Sequence, residues 1–376
     1  MRKFFKLLHK WLSIPVGLII FIICITGSIL AFEKEIMECV YPERYFVKEN
    51  AASPIPLKDL IPMAQSQLKA QKIIGVSISP EANRTYTLNL DGRRNTAFVN
   101  PYTGEVTGVY IYSESFFYTM MSLHRWLMDG SHTWGKYTVG ITTLIFVIIL
   151  ISGIFIWIPK DKKKWKSRFT LNLRKGWRRF WYDAHIVLGF YACLLLLVCA
   201  LTGLMWSFDW YRNGVNSLLG IETPKPEKEG DGERRRDGDN KGRKEELNIL
   251  HWDDVFAQIR EKEPGYQTIS IQDASASVLP GDAPHRRAMD SYKFDANNGN
   301  IKKVIPYEDT PESRRVMLWA YNLHVGAYGG LTTRILTCLA CLIGATLPLT
   351  GYYLWFVKGK RKKVNVKRKK LLKGKL

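Results

Sequence analysis

Disulfide-forming cysteine is almost missing from this chain: of six cysteines only Cys39 lies outside an apolar run, so no disulfide framework is available. No Cys-x-x-Cys-His occurs, which excludes covalent c-type haem attachment. Cys338-Leu-Ala-Cys341 has redox spacing but falls inside an apolar run, where small residues serve helix packing. Histidine is scarce, seven in 376 residues, so each position can be weighed. Acid is missing in one telling place: beyond Val357 stand eleven Lys/Arg and no Asp or Glu.

What the chain does have is long apolar runs. Trp11–Phe32, Tyr137–Ile158, Ile186–Phe208 and Leu331–Val357 can each cross a hydrocarbon core of about 30 Å, which takes roughly 20 helical residues. The segments before the first run, between the second and third, and after the fourth hold 25 of the 55 Lys/Arg and only two acids, Asp161 and Asp183. Their net charge is +23, which leaves the rest of the chain at −2. By the positive-inside rule both termini and the middle loop are cytoplasmic. Anionic lipid headgroups account for the basic charge, so no nucleic-acid partner is expected. The first run is too long for a cleaved signal peptide, and Ser28, Ala31 and Glu33 form a poor cleavage site, so it reads as a signal anchor.

The order of membrane run, outer segment and membrane run occurs twice. His9 precedes Thr26-Gly27 by 17 residues, and His185 precedes Thr202-Gly203 by the same 17. Ser152-Gly153 and Thr350-Gly351 each have a basic residue 17 before the glycine, Lys136 and Arg334. Leu123-His124 and Leu323-His324 stand upstream of these at nearly equal distance. In the outer segments Val99-Asn-Pro-Tyr-Thr-Gly104 matches Phe294-Asp-Ala-Asn-Asn-Gly299, each reading as strand, glycine turn and strand. Amphipathic helices are predicted near Leu57–Lys69 and Trp252–Lys262. The expected fold class is a mainly α membrane protein: four transmembrane helices in two tandem repeats, each with a small α+β module of roughly 60 residues. The expected divisions are 1–32 (N-terminus and first helix), 33–133 (first module and a pre-membrane helix), 134–158 (second helix), 159–184 (basic loop), 185–208 (third helix), 209–325 (second module, with a charged linker at 224–246), 326–357 (fourth helix) and 358–376 (basic tail).

Tandem halves of the same handedness imply a pseudo-two-fold axis along the membrane normal. Equivalent residues then face each other, pairing His9 with His185 on the cytoplasmic side and His124 with His324 on the outer side. Ligating side chains at membrane depth are costly and mark function. Two neutral imidazoles from facing helices fill both axial positions of a haem, which suits electron transfer. With covalent attachment excluded, two b-type haems are expected. Lys136 and Arg334 either neutralise haem propionates or snorkel to the interface. Gly17, Gly189, Gly140 and Gly344 either admit the flat ring or permit close helix packing. His132 rivals His124, but its repeat position holds Gly330. His251 and His285 read as surface residues of the outer module.

The segments Leu8-His-Lys-Trp-Leu12, Leu123-His-Arg-Trp-Leu127, Asp183-Ala-His185 with Leu188-Gly189, and Leu323-His324 resemble the PepSY-associated transmembrane family, as do the Thr-Gly or Ser-Gly dipeptides and the paired outer modules. The resemblance covers nearly the whole chain. It implies a bacterial inner-membrane protein with PepSY-like periplasmic modules. It further implies a reductase of a ferric siderophore or other Fe(III) chelate, using two b haems held by His9, His185, His124 and His324. Lys136 departs from the arginine more usual there. No flavin or nicotinamide fingerprint is visible, so a separate electron donor is implied: quinol, flavin or a reductase. Two other classes stay open. A periplasmic binding or regulatory module on a membrane anchor predicts no cofactor, and a siderophore transporter predicts polar residues along a path, of which the runs have few.

Overall fold

The computed structural model describes residues 1–48, 53–69, 71–161, 163, 165–171, 176–221 and 247–373. The charged linker expected at 224–246 lies outside the described residues. The helices are α1 (Arg2–Leu30), α2 (Glu33–Val40), α3 (Pro42–Tyr45), α4 (Leu57–Gln67), α5 (Phe116–Trp126), α6 (Trp134–Trp157), α7 (Lys166–Phe169), α8 (Trp177–Ser207), α9 (Asp209–Leu218), α10 (Trp252–Lys262), α11 (Glu312–His324) and α12 (Gly330–Lys373). The strands are β1 (Ile73–Ile78), β2 (Tyr86–Leu90), β3 (Thr96–Val99), β4 (Val106–Tyr110), β5 (Thr268–Gln272), β6 (Ser275–Leu279), β7 (Asp290–Phe294) and β8 (Ile301–Ile305). The chain divides into two units: Met1–Ala31, Thr119–Val215 and Ala320–Leu376 in one, Phe32–Tyr118 and Asn216–Trp319 in the other.

The first unit is a bundle in which α1 and α8 each pack on both α6 and α12. The four long apolar helices are long enough to cross a bilayer, and no more than 33% of each span's apolar window is buried within the protein. Leu18, Ile141, Leu194 and Leu339 point outward and stay exposed. Continuous exposed apolar faces of this kind belong in lipid, and the chain is a membrane protein. The seam is built from small and branched residues, including Val16, Ile20, Cys24, Ala192, Leu196, Ala340 and Ala345. Close approach depends on glycine. A Cβ at Gly344 would meet Leu196 at 2.9 Å and Cys24 Sγ at 3.1 Å, and one at Gly17 would meet the Tyr352 hydroxyl at 2.5 Å. Together with Gly140 against Phe208 and Gly189 against Leu347, these four glycines pack helix against helix or side chain. They do not lie against the histidine rings.

Two boundaries differ from the apolar-run reading. Helix α1 begins at Arg2 and α8 at Trp177, so the basic flanks are helical and His9 and His185 sit well inside their helices. Apolar runs report where a chain meets hydrocarbon, whereas a helix continues through charged residues as long as its backbone bonds persist.

The second unit holds a single antiparallel sheet of order β4-β3-β2-β1-β5-β6-β7-β8. The two outer segments, each expected as a small α+β module, contribute four strands apiece to this one sheet. The strands of the two outer segments join where β1 pairs with β5 in the register Val76↔Ile271, Ser77↔Ser270, Ile78↔Ile269. The Ser77 and Ser270 hydroxyls lie 2.8 Å apart across that seam. Inward residues alternate with partly exposed ones along β5, as one buried sheet face requires. Helix α4 presents Leu57, Leu60, Ile61 and Ala64, and α10 presents Trp252, Val255 and Ile259, to a common core with Val76, Ile78, Ile269 and Ile271. The predicted glycine turns are present: Gly104 (φ +72°) joins β3 to β4, and Gly299 (φ +68°) joins β7 to β8.

Candidate functional site

Six elements of the helical unit supply the candidate side chains. Helix α1 carries both His9 and Thr26-Gly27, and α8 carries both His185 and Thr202-Gly203. Helix α6 carries Ser152-Gly153 and α12 carries Thr350-Gly351. His124 stands near the end of α5 and His324 closes α11. The structure brings these together in two places. The rings of His9 and His185 have centres 6.3 Å apart with planes at 86°, and those of His124 and His324 have centres 6.1 Å apart with planes at 65°. His124 lies against Thr26 of the same helix that bears His9, so the two pairs are separated by about 26 Å along α1 at 1.5 Å per residue.

Each imidazole is anchored through Nδ1. His124 Nδ1 is 2.9 Å from the Ile23 carbonyl and 3.2 Å from Thr26 Oγ1. His324 Nδ1 is 2.9 Å from the Cys199 carbonyl and 3.1 Å from Thr202 Oγ1. His9 Nδ1 is 3.1 Å from both the Ile149 carbonyl and Ser152 Oγ. His185 Nδ1 is 2.8 Å from Thr350 Oγ1. A carbonyl only accepts, so Nδ1 of His9, His124 and His324 carries the proton and donates it, and Thr350, whose own hydrogen goes to the Leu347 carbonyl, accepts from His185 Nδ1 in the same way. The lone pair is thereby placed on Nε2, the tautomer that a metal ligand needs.

These residues fit a haem. An imidazole–metal–imidazole axis with metal–nitrogen bonds of about 2.0 Å puts the two ring centres roughly 6 Å apart once each ring's half-width is added. Both pairs have that separation. Among the described residues no group of three or more His, Cys, Asp or Glu is gathered to hold an ion. Two imidazoles are too few for a bare metal centre, and sufficient for a metal that arrives with four equatorial nitrogens of its own.

The turn between α5 and α6 holds His124 in register. Leu127 and Met128 adopt positive φ, and Asp129 caps the start of α6 by accepting from the backbone N–H groups of Ser131, Thr133 and Gly135 and from the Ser131 hydroxyl. Burial alone would push the Asp129 carboxyl up, but these donors outweigh it and hold it at about 2. Arg334 is buried, 5% exposed, and donates to the Ala31 carbonyl at the end of α1. Lys136 is half-buried on the first turn of α6. His132 stacks on Trp126 at 4.0 Å and joins neither pair. His251 is partly exposed beside Asp254. His285 corrects the surface reading. It is 5% exposed, its Nδ1 accepts from the Arg287 N–H, and its Nε2 bonds the Tyr307 hydroxyl at 3.0 Å. In the sequence the Ser/Thr-Gly dipeptides read only as repeat markers, whereas in the structure each receives an imidazole. Their recurrence at four matched positions was the available signal.

A family model described as the PepSY-associated TM region matches residues 7–358, nearly the whole chain. The comparison with curated proteins finds no match.

Proposed function

The chain belongs to the PepSY-associated transmembrane family, and from that premise we propose that it is a di-haem b reductase. In this reading electrons pass from a donor on the cytoplasmic or membrane side to an Fe(III) chelate, such as a ferric siderophore, on the periplasmic side of a bacterial inner membrane. The observation that carries the reading is the two histidine pairs, each at haem-ligand separation with Nδ1–H committed to its neighbour helix. When bound, the haems supply one-electron carriers at two depths.

The chain's own residues do the rest. His9 with His185, and His124 with His324, would hold the two haems through neutral Nε2 donors, and such bis-imidazole ligation would favour electron transfer over oxygen chemistry. In this reading Arg334 and Lys136 would serve as cations for propionates at the outer pair, with Arg125, whose charge already acts on His124 and His324, beside them. One electron per iron converts Fe(III) to Fe(II), the donor is oxidised by the same count, and the chelate holds the less charged ion more weakly. The 23 net positive charges on the three flanking segments support a cytoplasmic placement of both termini. The strand order, which runs outward in chain order on both sides of the β1/β5 seam, supports the tandem-repeat reading.

A pyridine haemochrome measurement on protein purified after haem-sufficient expression tests this. Two b haems per chain are expected. A chain without b-type absorption refutes the proposal and leaves the binding or regulatory module as the surviving reading.

A further inference from the structure

We infer that the four Ser/Thr-Gly dipeptides are positioning elements that set the rotation of each imidazole about its own axis, and with it the angle between the two ring planes of each pair. This rests on the haem reading above and extends it from which residues bind to what orients them.

The hydroxyls are acceptors by elimination. Each has one hydrogen, and each donates it within its own helix: Thr26 to the Ile22 carbonyl at 2.7 Å, Thr202 to Val198 at 2.6 Å, Ser152 to Ile149 at 2.8 Å and Thr350 to Leu347 at 2.9 Å. What faces the histidine is therefore an oxygen lone pair. For His9, His124 and His324 the Nδ1–H lies between that oxygen and a backbone carbonyl from the same turn. A carbonyl alone selects the tautomer. A fork of two acceptors also resists rotation of the ring.

At Thr26 and Thr202 the adjoining glycine completes the shelf, because there the imidazole edge rests where a side chain would begin. A Cβ at Gly27 would stand 2.9 Å from His124 Cε1, and one at Gly203 would stand 3.2 Å from His324 Cε1. At Gly153 and Gly351 the corresponding distances to His9 and His185 are 3.5 and 3.8 Å, ordinary van der Waals contact. The shelves of the outer pair are thus filled and those of the other pair have slack. Alanine at 27 would force the His124 ring to shift, position 203 is tight, and 351 admits alanine.

Ligand-plane angle has its own spectroscopic signature. Near-perpendicular imidazole planes give low-spin ferric haem a strongly anisotropic EPR signal with a large maximal g value, and parallel planes give a more rhombic one. The planes at 86° for His9/His185 and 65° for His124/His324 predict two distinguishable signals, the first the more anisotropic.

The test uses the full chain in detergent, with haem content, EPR of the ferric protein and potentiometric titration as readouts. T26V replaces the acceptor oxygen by a methyl group of similar size and leaves the Ile23 carbonyl in place. It should retain both haems, shift the less anisotropic EPR signal and its midpoint potential, and leave the other signal alone. T26S should restore the wild-type spectrum. G27A should lose up to half of the haem or displace the same signal, whereas G351A should keep both haems and both signals. A T26V spectrum and potential that superpose on those of a two-haem wild type overturn this inference alone, as does G351A proving as disruptive as G27A. A wild-type chain without b-type absorption overturns the haem reading and this inference with it.

Discussion

Helix α4 starts after Pro56, whose side chain has no oxygen with which to cap the free N–H groups of a helix's first turn. The acceptor comes from about 200 residues away. Asp253, on the first turn of α10, receives the Leu57 N–H on one carboxylate oxygen at 2.7 Å and the Lys58 N–H on the other at 3.0 Å. Replacing Asp253 by alanine removes both bonds and a negative charge from the positive end of the α4 dipole. A lost cap costs about 0.5–2 kcal/mol, and a lost charge at a helix N-terminus a further 0.3–1 kcal/mol or so. Their sum, about 1–3 kcal/mol, corresponds to a roughly 5- to 150-fold rise in local opening. D253N keeps one neutral acceptor oxygen and should fall at the low end. Hydrogen–deuterium exchange on the full chain in detergent reads this directly. Peptides covering 57–67 should exchange faster, with strands β6 and β7 as internal references. Unchanged exchange in α4 refutes the capping argument, and an equal acceleration over all eight strands would show a loss of the whole sheet in place of a local cap.

Three further outcomes follow from the geometry. His324→Ala should lower haem from two per chain to one, since the pairs lie about 26 Å apart and sites more than about 10 Å apart act independently. The haemochrome assay checks this, and His132→Ala, which touches neither pair, should leave two. In the sheet unit, burial holds the His285 imidazole below its usual value of about 6.5, with the neighbouring Arg287 charge adding to the effect. The unfolded chain therefore binds the proton first. The stability that His285 contributes is complete above about pH 6.5 and is lost as the pH falls from there through the lowered value. Exchange in β7 and β8, corrected for intrinsic rates, should rise between about pH 7.5 and pH 5 and rise less in His285→Gln; identical profiles would refute the assignment. Finally, a Cβ at Gly135 would overlap the Trp126 carbonyl oxygen, whereas Gly130 has open space around it. Gly135→Ala should destabilise the α5–α6 turn by about 3 kcal/mol or more and Gly130→Ala should not, as thermal denaturation in detergent will show.

The four spans and the division of charge were legible because hydropathy and Lys/Arg placement are properties of each segment by itself. The glycine turns at 104 and 299 were legible for the same local reason: a tight turn needs positive φ, and glycine adopts it without a Cβ clash. The 17-residue spacing from His9 to Thr26 and from His185 to Thr202 went further. It carried depth, since helical rise is constant, and so pointed to which histidines share a level.

Other features depended on meetings between distant segments, about which no local pattern is informative. Which edge strand of the first outer segment would pair with which strand of the second is a matter of backbone N–H and C=O groups, which are alike in every residue; only the folded chain shows that β1 and β5 meet at Ser77 and Ser270. His285 looked like a surface residue until Tyr307 and Trp319 closed over it. The histidines themselves mark the same divide. Their identity, number and depth were written in the chain. Which imidazole rests on which Ser/Thr-Gly, and hence which nitrogen keeps its lone pair and at what angle the rings face, was decided by helices packing closely enough for one turn's carbonyls to reach another's side chain.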